Sequence, residues 1–156
     1  MTTAAVPGEV RGVRPDGQEM VSMERGGFEV HTGSQRVTDV TDAIARFAAE
    51  VGGDGLLHVF LPHATAGLAL LETGAGSDED LADHLDTLLP RDERWRHRHG
   101  SPGHGADHVL PAVVSPTLTL PVDDGRLALG TWQSVVLVDT NLDNRRRSVE
   151  LRFLAG

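Results

Sequence analysis

Apolar and polar residues alternate along this chain in short blocks. Met20 to Arg25 and Phe28 to His31 mix the two types and are split by Gly26-Gly27, which predicts two strands and a turn. The run TDVTDAIARFAAEVGG sets Val40, Ile44, Phe47, Ala48 and Val51 at helical spacing. Thr38 or Thr41 can cap this helix, and Gly52-Gly53 ends it. GLLHVFL at 55–61 and Ala66 to Leu71 predict two strands on either side of Pro62. Ser77 is expected to cap a second helix with Leu81, Leu85 and Leu88 on one face and Pro90 at its end. Its first turn holds Asp78, Glu79 and Asp80, where negative charge suits the helix dipole.

Residues 91–105, RDERWRHRHGSPGHG, have no periodicity, and a loop of that length is either functional or disordered. Ala106 to Val114 leaves room for a short helical turn, limited by Pro111. The remainder reads as sheet. TLTLP is a strand and DDG a hairpin turn. RLALGTWQSVVLVD is one long strand, with a bulge or close backbone approach at Gly130, and Arg147 to Leu154 alternates as a half-buried strand. Two main helices among these strands predict an α+β fold. We expect a compact single domain over residues 20–156, with a mostly antiparallel sandwich or barrel-like core. Residues 1–19, with two prolines and three glycines, are expected to be a flexible tail.

Composition narrows the function. At 156 residues, 39% hydrophobic and 24% charged, the chain can bury a core. Its net charge of −9 disfavours nucleic acid and anionic membranes as partners. With no cysteine, any metal must take histidine and carboxylate ligands. MTTAAVPGEV lacks the basic and apolar regions of a secretory signal, no apolar run reaches bilayer length, and a cytoplasmic location is expected. Five of the eight histidines (His84, His97, His99, His104, His108) fall within a short stretch.

Several residues can carry chemistry. His63 follows Pro62, which ends regular pairing and can turn the next side chain into a cleft. Glu72 closes LALL, where a carboxylate either meets solvent or needs a partner. Strand alternation puts residues nine apart on opposite faces, so His63 and Glu72 share a site only if the chain bends near Gly67 or two subunits join them. His97 and His108 flank the long loop. Their spacing excludes a single helical pair and suits a loop that returns to its start, although RHRHGSPGH can equally be a solvated loop. Asp80 has an ordinary capping explanation, and Gln133 lies either on the surface or in a pocket. Arg145 to Arg147 is either a solvated strand end or an anion site.

Together these residues resemble the YjbQ-like family, described as secondary thiamine-phosphate synthase enzymes. The likeness runs over residues 20–156. It rests on PHATAGLALLE, Asp80, Trp95-Arg-His97, His108, LPVDDGRLALGTWQ and the Arg147 strand. The resemblance implies a homotrimer with a His-rich, metal-binding pocket near the subunit contacts. His63, His97 and His108 would be the metal ligands, with Glu72, His63 and His108 as catalytic groups. Gln133, Arg147 and Asp80 would bind a small phosphorylated substrate. The implied reaction joins hydroxymethylpyrimidine diphosphate to a thiazole phosphate. Zinc suits the histidines, and Mg²⁺ enters only if diphosphate chemistry does. The alternatives are a metal-assisted hydrolase of a small phosphorylated or amide substrate and a non-catalytic metal- or anion-binding trimer. Ala64, Leu71 and Arg98 replace polar or acidic side chains of the family pattern.

Overall fold

Apolar strands that alternate must bury one face, and this chain does so by stacking two sheets. The computed structural model describes residues 22–156; the tail expected over 1–19 lies outside them. In chain order the elements are β1 (Met23–His31), β2 (Val37–Asp39), α1 (Thr41–Val51), β3 (Gly55–Phe60), β4 (Ala66–Leu71), α2 (Ser77–Leu88), α3 (His104–Asp107), α4 (Leu110–Val113), β5 (Thr117–Asp123), β6 (Arg126–Leu127), β7 (Ser134–Asp139) and β8 (Arg146–Ala155). One sheet has the order β1-β8-β3-β5-β6 and the other β2-β7-β4, and every pairing is antiparallel. This is the expected α+β sandwich.

The inner faces of the two sheets share one core. Leu57, Val59, Leu120, Val122, Leu151 and Phe153 come from the larger sheet, and Ala66, Leu68, Val135 and Leu137 from the smaller. Helix α1 adds Ile44, Phe47 and Ala48. Burying such a side chain is worth about 1.5–3 kcal/mol. The outer face of the smaller sheet is also covered. Val136 and Val138 pack with Leu85 and Leu89 of the α2 region and with Ala106 and Leu110 of the short helices. Strand β7 is therefore buried on both faces, which explains why SVVLVD is an apolar run without alternation.

Four local expectations are corrected. Gly26-Gly27 makes no turn, and β1 runs straight through it. A side chain at Gly26 would collide with the Phe47 ring, its Cβ falling 2.4 Å from Cε2, so the glycine serves helix packing. RLALGTWQSVVLVD is two strands in different sheets. The chain turns between them at Gly130 to Gln133, where Gln133 Oε1 accepts the Gly130 N–H at 2.8 Å, and Trp132 is 72% exposed. The buried face of α2 continues to Leu89, while Leu88 points to solvent. None of the three expected cap residues caps: Thr38 lies in β2, and Thr41 and Ser77 are the first residues of their helices. Asp39 Oδ1 instead accepts from the Thr41 N–H (2.9 Å) and hydroxyl (2.6 Å). The DDG hairpin is as expected, with Asp124 and Gly125 both at positive φ. No helix among the described residues is long and apolar enough to cross a membrane.

Candidate metal centre

The segment between α2 and α3 has no hydrophobic period, so polar contacts must hold it. Its anchor is Asp107, a carboxylate with no exposed surface. Asp107 pairs with the Arg91 guanidinium and accepts from Thr140 Oγ1 (2.7 Å) and Asn141 Nδ2 (3.1 Å). Arg91 also donates to the carbonyls of Thr140 (2.9 Å) and Pro102 (3.0 Å), which ties the start of the loop to its end. Trp95 Nε1 donates to the Pro90 carbonyl at 2.8 Å. Asp143, in the turn between β7 and β8, accepts the Ser101 N–H at 3.1 Å.

This frame gathers four imidazoles. His97 lies 4.1 Å from His99, 4.3 Å from His108 and 5.4 Å from His104, measured between ring centroids. His104 lies 4.7 Å from His99 and 4.6 Å from His108. Ring nitrogens of His97, His99 and His104 fall within 4.8 Å of one another. The His104 Nδ1–H donates to Asp143 Oδ2 at 2.8 Å, which leaves the Nε2 lone pair facing the cluster. That nitrogen meets His108 Nε2 at 3.0 Å. Burial and the neighbouring imidazoles push His97 and His108 below the usual histidine range, so both stay neutral and keep lone pairs. A cleft of about 320 Å³, lined by Arg91, Trp95, Arg98, His97, His99 and His104, opens beside them.

Of the expected metal ligands, the fold brings His97 and His108 together and leaves His63 out of the ring cluster. His63 Nε2 accepts the Ser148 N–H at 2.8 Å, so its proton sits on Nδ1. Burial and nearby Arg147 lower its pKa. Glu72 and Asp80 are exposed at the far end of β4 and in the first turn of α2. No bend occurs at Gly67. Its missing side chain admits the Val114 carbonyl, 2.2 Å from where a Cβ would stand, and β4 stays in register. His63 and Glu72 thus lie at opposite ends of a strand about 20 Å long. Gln133 folds back on Gly130. Arg147 is 2% exposed and donates to both oxygens of Asp139, each at 2.7 Å.

Sequence reasoning missed His99 and His104 as members of the cluster, and Asp107, Asn141 and Asp143 as its supports. One signal was present: His104 and His108 are one helical turn apart, at the spacing that puts two imidazoles on one face.

The pattern of the UPF0047 protein YjbQ-like family matches residues 27–156. The chain belongs to that family. A UPF0047 protein of Mycobacterium bovis is 61% identical over 83% of this chain and 99% of its own. A hypothetical protein from Aeropyrum pernix superposes with a TM-score of 0.78 at 32% identity, over 85% of this chain and 99% of that one. A YbjQ-like protein of unknown function from Sulfolobus solfataricus has a TM-score of 0.79 at 22% identity, covering 86% and 98%, and shows the fold alone. The UPF0047 assignment bears out the resemblance read from the sequence. It overturns the activity attached to it. These names give a family number and no reaction, and the Sulfolobus protein is described as of unknown function. The expected synthase reaction, and a pocket combining His63 with His97 and His108 to support it, are corrected accordingly.

Proposed function

We propose that the loop between α2 and α3 binds one divalent transition-metal ion, zinc above all, through His97, His99 and His104. The observation that carries this reading is the convergence of three imidazole nitrogens within 4.8 Å, one of them aimed by a carboxylate. Nitrogen donors of this kind suit zinc, nickel and copper, whereas Mg²⁺ demands oxygen. The Asp143–His104 contact is the outer hydrogen bond that orients ligating histidines and raises their basicity. His108 stands beside the set as a fourth imidazole. Such an ion polarises an oxygen-bearing ligand in the adjoining cleft.

The assembly is a homotrimer in the cytoplasm on this reading. Trp132 and Leu142 are exposed apolar side chains that a subunit contact would cover. With no bend at Gly67, neighbouring subunits are the remaining way to join His63 to Glu72. Solution masses in multiples of three chains are expected.

Calorimetric titration of metal-stripped protein with zinc chloride tests the site. One ion per chain is expected, lost in His97→Ala, His99→Ala and His104→Ala and retained in His63→Ala. Loss in His63→Ala with retention in His99→Ala and His104→Ala overturns this ligand set.

A further inference from the structure

Strand β1 is a terminal strand of the five-stranded sheet: it pairs with β8, and no other described strand pairs with its second edge. Its nine residues, MERGGFEVH, are all at least partly exposed. A free edge of that length, about 30 Å, presents alternating N–H and C=O groups that will pair with any matching strand. The charges on it decide which strand matches. We propose that the free edge of β1 pairs antiparallel with β1 of a second copy of this chain, about a two-fold axis through Gly27.

Only one antiparallel register uses all nine residues. It sets Met23 opposite His31, Glu24 opposite Val30, Arg25 opposite Glu29 and Gly26 opposite Phe28, with Gly27 on the axis. Two-fold symmetry applies each pair twice, so Arg25 of each copy faces Glu29 of the other. Both residues are exposed and point to the same face of the sheet. Shifted registers do worse. Centring on Glu24 or on Glu29 sets two glutamates against each other, and either shift shortens the ladder. Across β8, Arg25 lies opposite Arg152, whose charge Glu150 meets at 2.7 Å, and Glu29 lies 3.4 Å from Arg146, so the two-fold pair adds a second cation to the Glu29 carboxylate. Charges that would repel a foreign strand therefore select an identical one. Phe28 and Val30, partly buried against the core, gain cover from the incoming strand. This contact is two-fold, and where its axis crosses the three-fold axis of a trimer it closes two trimers into a hexamer.

Light scattering on the full chain, coupled to size exclusion, tests the pairing by charge reversal. Arg25→Glu and Glu29→Arg are each expected to halve the mass of the wild-type assembly, because each sets like charges together. The double variant Arg25→Glu with Glu29→Arg restores the pair in reverse and is expected to return the full mass. Both positions are exposed, and an unchanged circular dichroism spectrum confirms that the variants fold. Equal mass for the wild type and both single variants overturns the proposal, and is the result if the edge is covered by residues 1–21 instead. Failure of the double variant to recover the mass overturns it as well.

Discussion

Two polar centres meet at Asn141 in the β7–β8 turn, and they are built on opposite principles. In one, Arg147 places two N–H groups on the two oxygens of Asp139, Thr32 Oγ1 donates to the same carboxylate, and the Asn141 N–H completes it. Every charge is matched and water is excluded. In the other, four imidazoles crowd together with one carboxylate beside them, and with His104 protonated on Nδ1 the His108 Nε2–H donates to its Nε2 at 3.0 Å. A saturated centre has nothing left to offer a ligand and holds the strands in place. An unsaturated one costs stability, and keeps donor atoms available.

Breaking the saturated centre is expected to have the largest effect. Asp139→Ala strands a buried guanidinium and should lower unfolding free energy by about 3–5 kcal/mol in urea titration. The folded fraction should keep its zinc stoichiometry. The second centre should respond in the other sense. Asp143→Asn weakens the hydrogen bond that aims His104 and should reduce zinc affinity about 10- to 100-fold, with little change in the urea midpoint. A smaller effect is expected for Trp95→Phe, which removes the Nε1 hydrogen bond to Pro90 and should cost about 1 kcal/mol.

The smallest effect is a dependence on pH. His63, His97 and His108 are all pushed below 6.5 in the folded protein, so the unfolded chain binds protons first as pH falls. Above the unfolded value these groups carry no penalty. Below it stability declines, and the loss is complete once pH passes the folded values. Thermal melts of metal-free protein between pH 7.5 and 5 (about one unit on either side of the ordinary histidine value) should show this decline. The triple variant His63→Ala, His97→Ala, His108→Ala should flatten it.

The sandwich was legible because burial imposes periods. Helix α1, strands β3, β4 and β8 and the DDG hairpin all announce themselves by spacing or turn chemistry. What misled was glycine and length. Gly26-Gly27 reads as a turn, but it makes room for Phe47, a residue some twenty positions away that no local rule can see. The stretch 126–139 reads as one strand because its break at Gly130 to Gln133 is held by a single side-chain bond. In the site, spacing left a loop that returns His97 to His108 and a solvated loop equally open, and the family resemblance singled out those two residues. The exclusion of His63 was not legible, since only the register of β8 puts the Ser148 N–H against its ring. Arg147 looked like an anion binder among three arginines. Alternation along β8 turns it inward with Val149, Leu151 and Phe153, and its partner Asp139 lies on another strand.

Strand β7 carries a consequence for how such a protein can diverge. Val135 and Leu137 line one core while Val136 and Val138 line the other, so the strand is a party wall between two rooms. A single inserted or deleted residue would exchange the linings of both rooms at once, and no compensating change elsewhere could restore them. Residues 96–103, between the Trp95 anchor and the Asp143 contact to Ser101, line neither room. Descendants of this chain are free to rewrite that stretch, and with it the donor atoms it presents, while the wall behind it stays the same.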